Sequence, residues 1–204
     1  MKRLIAILLT VTAIGAATPV FAQESAPGPG KVVITIIPGG ATFFTEAEDN
    51  PVGAAFGNYE LGGSVAVNLN RYVGLEGEVS GGIGVSQTMQ VGTFTFDGRS
   101  PNLLNYSGNL VISAPNRSSV VPYLTGGVGG QTQFERRVLT VNDATTFLTG
   151  NVGGGVSWYA GRWGLRGDYR FIAVQSKDDA PAFFGRENRY GHRVYAGVLL
   201  NVAR

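Results

Sequence analysis

The chain has no cysteine and a single histidine, His192, and after residue 17 it has no apolar run long enough for a transmembrane helix. The missing cysteines exclude a disulfide framework, a cysteine-linked lipid anchor and thiolate metal sites. One histidine leaves little for an imidazole metal centre, and Asp49-Asn50 and Asp178-Asp179 lack the ligand spacing of a calcium loop. No metal and no cofactor are therefore expected. An excess of one charge is lacking as well. Met1-Lys2-Arg3, an apolar run from Leu4 to Ala17, and Val20 and Ala22 before the cut read as a signal peptide over residues 1–22. Its removal lowers the 16 Lys and Arg side chains to 14, equal to the 14 Asp and Glu. No basic run occurs, which argues against nucleic acid as a partner. Helical periodicity is missing too, and the 31 glycines are dispersed rather than gathered in a linker. Only Pro27-Gly28-Pro29-Gly30 reads as a flexible lead-in, over residues 23–31.

What the chain does have is alternation, clearest around Tyr159-Ala160-Gly161-Arg162. Upstream, Leu148, Gly150, Val152, Gly154, Val156 and Trp158 share one parity, against Thr149, Asn151, Gly153, Gly155 and Ser157. Downstream, Trp163, Leu165, Gly167, Tyr169 and Phe171 oppose Gly164, Arg166, Asp168 and Arg170. A period of two means a β-strand with one apolar and one polar face. The strands outrun the ordinary length, and a tryptophan stands on each side of the turn, on the apolar face. The unit recurs. Further strands are expected over about 32–44 (bent at Pro38-Gly39-Gly40), 56–69, 72–87, 104–114, 120–134 and 191–203, eight in all. Connections after the second, fourth and sixth strands are short. Those after the odd strands are long: Thr45–Ala55, Thr88–Leu103, Glu135–Thr145 and Lys177–Tyr190.

This pattern predicts an all-β fold, an eight-stranded antiparallel up-and-down transmembrane β-barrel over residues 32–204. The short turns would face the periplasm and the four long loops the outside. The alternative is a soluble, secreted lipocalin-like barrel with its faces reversed. Strand length, loop asymmetry and the small residues of the polar face favour the membrane. With that face inward, the lumen holds Glu60, Glu76, Glu78, Arg166, Asp168, Arg170 and Arg193. Charges in a narrow lumen must be paired, so one salt-bridged network is expected to fill the barrel. The expected aromatic girdle comprises Tyr72, Tyr106, Tyr123, Trp158, Trp163 and Phe171.

The runs Tyr59-Glu60-Leu61-Gly62-Gly63, Tyr72-Val73-Gly74-Leu75-Glu76-Gly77 and Pro122-Tyr123-Leu124-Thr125-Gly126-Gly127-Val128-Gly129 extend the likeness to a known family. With the leader and the strand pattern, the mature chain resembles the OmpA/OmpX-type small outer-membrane barrels, the OMP β-barrel domain family of Gram-negative bacteria. The resemblance implies export through the periplasm, the barrel-assembly machinery as a partner during biogenesis, and residence among outer-membrane lipid and lipopolysaccharide. Members usually end in an aromatic residue, whereas this chain ends Leu199-Leu200-Asn201-Val202-Ala203-Arg204. The resemblance also extends to members with a periplasmic peptidoglycan-binding domain, a role not expected here.

Catalysis is not expected. His192 with Ser176, Asp178 and Asp179 would supply the residue types of a hydrolytic triad, but a triad is defined by geometry. The glycine clusters 126–130 and 153–155 have no lysine and no following helix, so they are not phosphate loops. The expected function is a monomeric structural or surface-interaction barrel with a filled lumen, and the first alternative is a small pore for ions or solutes.

Overall fold

Alternating faces and short turns lead directly to a meander closed on itself. The computed structural model describes residues 29–45, 55–91, 94–115, 118–134, 144–177 and 188–203. The leader expected over residues 1–22 lies outside them. The strands are β1 (Val32–Phe44), β2 (Phe56–Asn68), β3 (Val73–Gly84), β4 (Ser86–Val91), β5 (Phe94–Arg99), β6 (Asn102–Ser113), β7 (Val120–Phe134), β8 (Ala144–Ala160), β9 (Trp163–Val174) and β10 (Arg189–Ala203). Eight of them form a closed antiparallel barrel in the order β1-β10-β9-β8-β7-β6-β3-β2. Closure pairs the first strand with the last, so the barrel leaves no free sheet edge.

The apolar parity faces outward. Leu75, Val79, Leu124, Val128, Leu148 and Leu165 are all exposed, whereas the charged residues of the same strands are buried. This is the reverse of a water-soluble barrel and matches a lipid-facing band, so the soluble lipocalin-like arrangement does not form.

Two expectations need correction. Residues 88–103 are not an irregular loop: β4 and β5 form a hairpin of their own, from Ser86↔Arg99 to Val91↔Phe94. The third barrel strand correspondingly stops at Gly84 rather than at Gln87. The reason lies in the neighbouring strand. The β2–β3 ladder ends at Asn58↔Gly84, which leaves the next residue of β2, Gly57, paired with β1 but without a partner from β3. The Gln87 amide replaces the ladder there. Its Oε1 accepts from Gly57 N, and its Nε2 donates to Gly57 O, each at 2.9 Å. Tyr123, expected in the outer girdle, is instead buried in the lumen.

The bend at Pro38-Gly39-Gly40 is a β-bulge. Pairing with β10 shifts between Ile36 and Gly39, and pairing with β2 shifts between Ile37 and Gly40. One extra residue reverses the parity of β1 across it. Before the bulge, Ile36 is 55% exposed and Ile37 is 2% exposed; after it, Phe43 is 55% exposed and Phe44 is 3% exposed.

The short turns are fixed locally. In the β8–β9 turn Gly161 has φ 65°, a left-handed conformation that favours glycine. In the β2–β3 turn Asn70 Oδ1 accepts from the backbone N–H groups of Tyr72 and Val73, at 2.8 and 2.9 Å.

Candidate functional site

A barrel of eight strands is about as wide inside as its side chains are long. The lumen is therefore the natural place to look for a channel or a binding cavity. Its contents fall into three layers along the axis.

The middle layer is charged. β2 supplies Glu60, β3 supplies Glu76 and Glu78, β9 supplies Arg166, Asp168 and Arg170, and β10 supplies Arg193. The structure brings all seven together. Arg170 lies 2.7 Å from Glu76, 3.1 Å from Glu78 and 2.9 Å from Asp168. Arg166 pairs with Glu76 and lies 3.0 Å from Asp168. Arg193 pairs with Glu78 and approaches Glu60 at 3.7 Å. These side chains are at most 6% exposed. In the strand order β3 and β9 stand four places apart in a ring of eight, so the Arg166 and Arg170 pairs with Glu76 cross the full width of the lumen.

Four carboxylates face three guanidinium groups, and the remaining lone pairs are met by neutral donors. Thr42 donates to Glu60 at 2.8 Å and Ser80 donates to the same carboxylate. Asn105 adds a third bond to Glu60 at 3.1 Å. Ser64 donates to Glu76 at 3.1 Å, and Tyr195 to Glu78 at 3.2 Å. Buried charge is tolerated on these terms, since each ion is both paired and hydrogen-bonded.

Tyr123 belongs to this layer and not to the outer girdle. It is 6% exposed, its hydroxyl donates to Asp168 at 2.5 Å, and Arg166 Nε donates back to it at 2.7 Å. The Arg166 guanidinium also lies 4.4 Å from the ring centre. Space for the ring comes from β8: a Cβ at Gly155 would lie 2.6 Å from the Tyr123 hydroxyl. Glycines weaken the parity signal of β7 and β8, which is why the sequence did not show which way this tyrosine turns. The signal that could have found it is its odd number. In β7, Val121, Thr125, Gln131 and Gln133 share it and all are buried.

Each of the two outer layers holds an apolar cluster among buried polar side chains. Toward the long loops, Phe44, Phe56, Leu103, Phe147, Ile172 and Val174 point inward and pack together, joined by Met89 of the β4–β5 hairpin. Toward the short turns, Val33, Val121, Tyr159 and Leu199 form a second cluster. A recess of about 30 Å³ reaches from Pro29 past Leu199 to Glu76 and Arg166 and is large enough to admit water. The lead-in crosses this end. Gly30 N donates to Asn201 Oδ1 at 2.9 Å, and Asn68 Nδ2 donates to Gly30 O at 2.6 Å.

Of the other expected girdle residues, Tyr72, Trp158 and Trp163 are exposed at the short-turn end, and Tyr106 is exposed on β6. Phe171 is half-buried nearer the long loops, stacked on Tyr190 at 5.6 Å. His192 occupies the outward parity of β10, its Nδ1 2.7 Å from the Tyr169 hydroxyl. Asp178 and Asp179 lie outside the described residues, as do Asp49-Asn50. Among the described residues no cluster of three or more His, Cys, Asp or Glu is arranged to hold a metal ion.

The fold is shared with solved structures. Neisserial surface protein A superposes with a TM-score of 0.64 at 12% identity, over 85% of this chain and 99% of that one. The outer membrane protein OprG from Pseudomonas aeruginosa superposes with a TM-score of 0.52 at 13% identity, over 88% of this chain and 100% of that one. At such identities the likeness is one of fold. No curated protein matches the sequence. A family model described as the outer membrane protein beta-barrel domain matches residues 6–201. The match spans nearly the whole chain, and with the outward apolar band it places the protein in the outer membrane of a Gram-negative bacterium, as a member of the outer membrane protein beta-barrel domain family.

Proposed function

We propose that this barrel acts through its surfaces rather than through its lumen: it stabilises the outer membrane and presents its long loops for contact outside the cell. The observation that carries this reading is the filled interior. A conducting path would have to pass the two apolar clusters and break ion pairs at most 6% exposed. An apolar constriction excludes water, and breaking a buried pair strands its charged partner, so both barriers oppose permeation. The monomer is sufficient for this role because the barrel is closed by its own first and last strands.

A deletion strain tests the reading. Loss of the protein is expected to lower resistance to detergent or to weaken attachment to surfaces, with uptake of small solutes unchanged. A chain with shortened loops restores the first property, and the full-length chain restores both. A deletion that slows solute uptake and leaves envelope resistance and attachment intact would favour the pore instead.

A further inference from the structure

The short-turn end of the barrel carries exposed charge of one sign. Among the described residues its exposed ionisable side chains are Lys31 before β1, Arg71 between β2 and β3, and Arg162 between β8 and β9. Among the described residues the acid nearest that end, Glu76, is inside the lumen and held by Arg166 and Arg170. None of the three exposed cations makes an ion pair with another described residue. Two of these basic side chains sit in turns, and with no exposed acid among the described residues of this end to balance them, the three make a field rather than a set of solvated pairs.

The two turn arginines stand beside outward aromatics. Arg71 lies 4.6 Å over the ring of Tyr72, and the Asn70 bonds hold that turn in shape. Arg162 sits in the turn that joins Trp158-Tyr159-Ala160 to Trp163. That turn is tied to β10, since Asn201 N donates to Arg162 O at 2.8 Å and Asn201 Nδ2 to Gly161 O at 3.2 Å. Tyr72, Trp158 and Trp163 are all exposed on the outer surface. Tryptophan and tyrosine favour the boundary between acyl chains and headgroups, and a guanidinium presents a fork that fits two phosphate oxygens.

We propose that this rim binds anionic phospholipid headgroups of the periplasmic leaflet. Lys31, Arg71 and Arg162 hold the phosphodiesters, and Tyr72, Trp158 and Trp163 lie against the glycerol and upper acyl segments. The cations form two sites. Lys31 and Arg71 share one side, where Asn68 N donates to Lys31 O at 2.9 Å. Arg162 stands across the barrel from Arg71, because β3 and β8 are three places apart in the strand order, while Asn201, bonded to both Gly30 and Gly161, links its turn to the start of β1. Binding fixes the height of the barrel in the bilayer and gathers anionic lipid around it.

The chain's two tryptophans both lie at the Arg162 site, so their fluorescence reports on that site alone. The purified barrel is reconstituted into phosphatidylcholine vesicles that contain either brominated phosphatidylglycerol or brominated phosphatidylcholine as the quencher, at equal mole fraction. The expected result is an apparent preference of about fivefold for the anionic quencher, the effect of one cation near a membrane surface, falling as salt is raised. Arg162→Gln brings the two quenchers to parity, Arg162→Lys keeps part of the preference, and Arg71→Gln leaves it unchanged. Heat-dependent gel migration confirms that each variant is folded. Equal quenching in the unaltered protein, a preference insensitive to salt, or a preference kept in Arg162→Gln would overturn the proposal.

Discussion

Tyr59 of β2 donates its hydroxyl to the carbonyl of Pro38 at 2.9 Å, directly over the bulge of β1. Pro38 lies midway along its strand and faces outward, where a bulge leaves a carbonyl without a ladder partner in a medium that offers no water. The side chain also covers Gly39, since a Cβ there would meet the Tyr59 hydroxyl at 2.6 Å. Tyr59→Phe removes the bond but keeps the ring. It is expected to lower stability in lipid by about 1–2 kcal/mol, read as a lower urea midpoint for unfolding from vesicles. An unchanged midpoint would mean that the bulge carbonyl finds another donor.

Arg170 is fully buried and touches Glu76, Glu78 and Asp168. Replacing it with methionine removes one of the two guanidinium partners of each of these three carboxylates and leaves four buried acids facing two bases, and the expected loss is about 3–5 kcal/mol or failure to assemble. The temperature at which the compact gel species converts to the extended one should fall by many degrees. Asn105→Ala removes a single neutral donor to Glu60 and should shift it far less.

Glycines inside and outside the barrel should respond differently to the same change. A side chain at Gly155 runs into the Gly167 carbonyl and the Tyr123 hydroxyl, whereas one at Gly150 meets nothing within 4 Å. Gly155→Val is expected to cost about 1–3 kcal/mol or more through overpacking, and Gly150→Val should be close to neutral on the lipid face. Unfolding midpoints of the two variants, compared under one condition, decide the matter.

Met89 anchors the β4–β5 hairpin in the apolar layer beneath the long loops. Met89→Asp should release the hairpin without opening the barrel. Limited proteolysis is then expected to cut between residues 85 and 100, while the protected remainder still migrates as a folded barrel. Protection equal to that of the unaltered chain would show that the hydrogen bonds of Gln87, Arg99 and Ser100 hold the hairpin without Met89.

The barrel was legible because a period of two survives wherever bulky residues mark both faces. β2, β3, β6, β9 and β10 all show it, and the charges of β2, β3, β9 and β10 lie on the parity that the structure turns inward. The Pro38-Gly39-Gly40 bend was legible from its residue types alone. Three features were not. Tyr123 follows a short turn and precedes a glycine run, so its strand offered no strong parity to place it. The hairpin of β4 and β5 was hidden because its alternation continues that of β3 with only Val85 between them. The apolar layers were missed because Phe44, Phe56, Leu103, Phe147 and Ile172 share the inward face with polar residues, and sit only at strand ends. An apolar residue at the end of an otherwise polar parity was the available signal.

The charged interior closes the lumen to ions. Single-channel recording in planar bilayers tests it most directly, with the refolded protein at high load and Arg170→Ala alongside. A silent baseline for the unaltered barrel is the predicted result, with any conductance confined to the variant. Discrete openings of the unaltered barrel, changed in size or selectivity by Arg170→Ala, would contradict the account and make the network the lining of a pore.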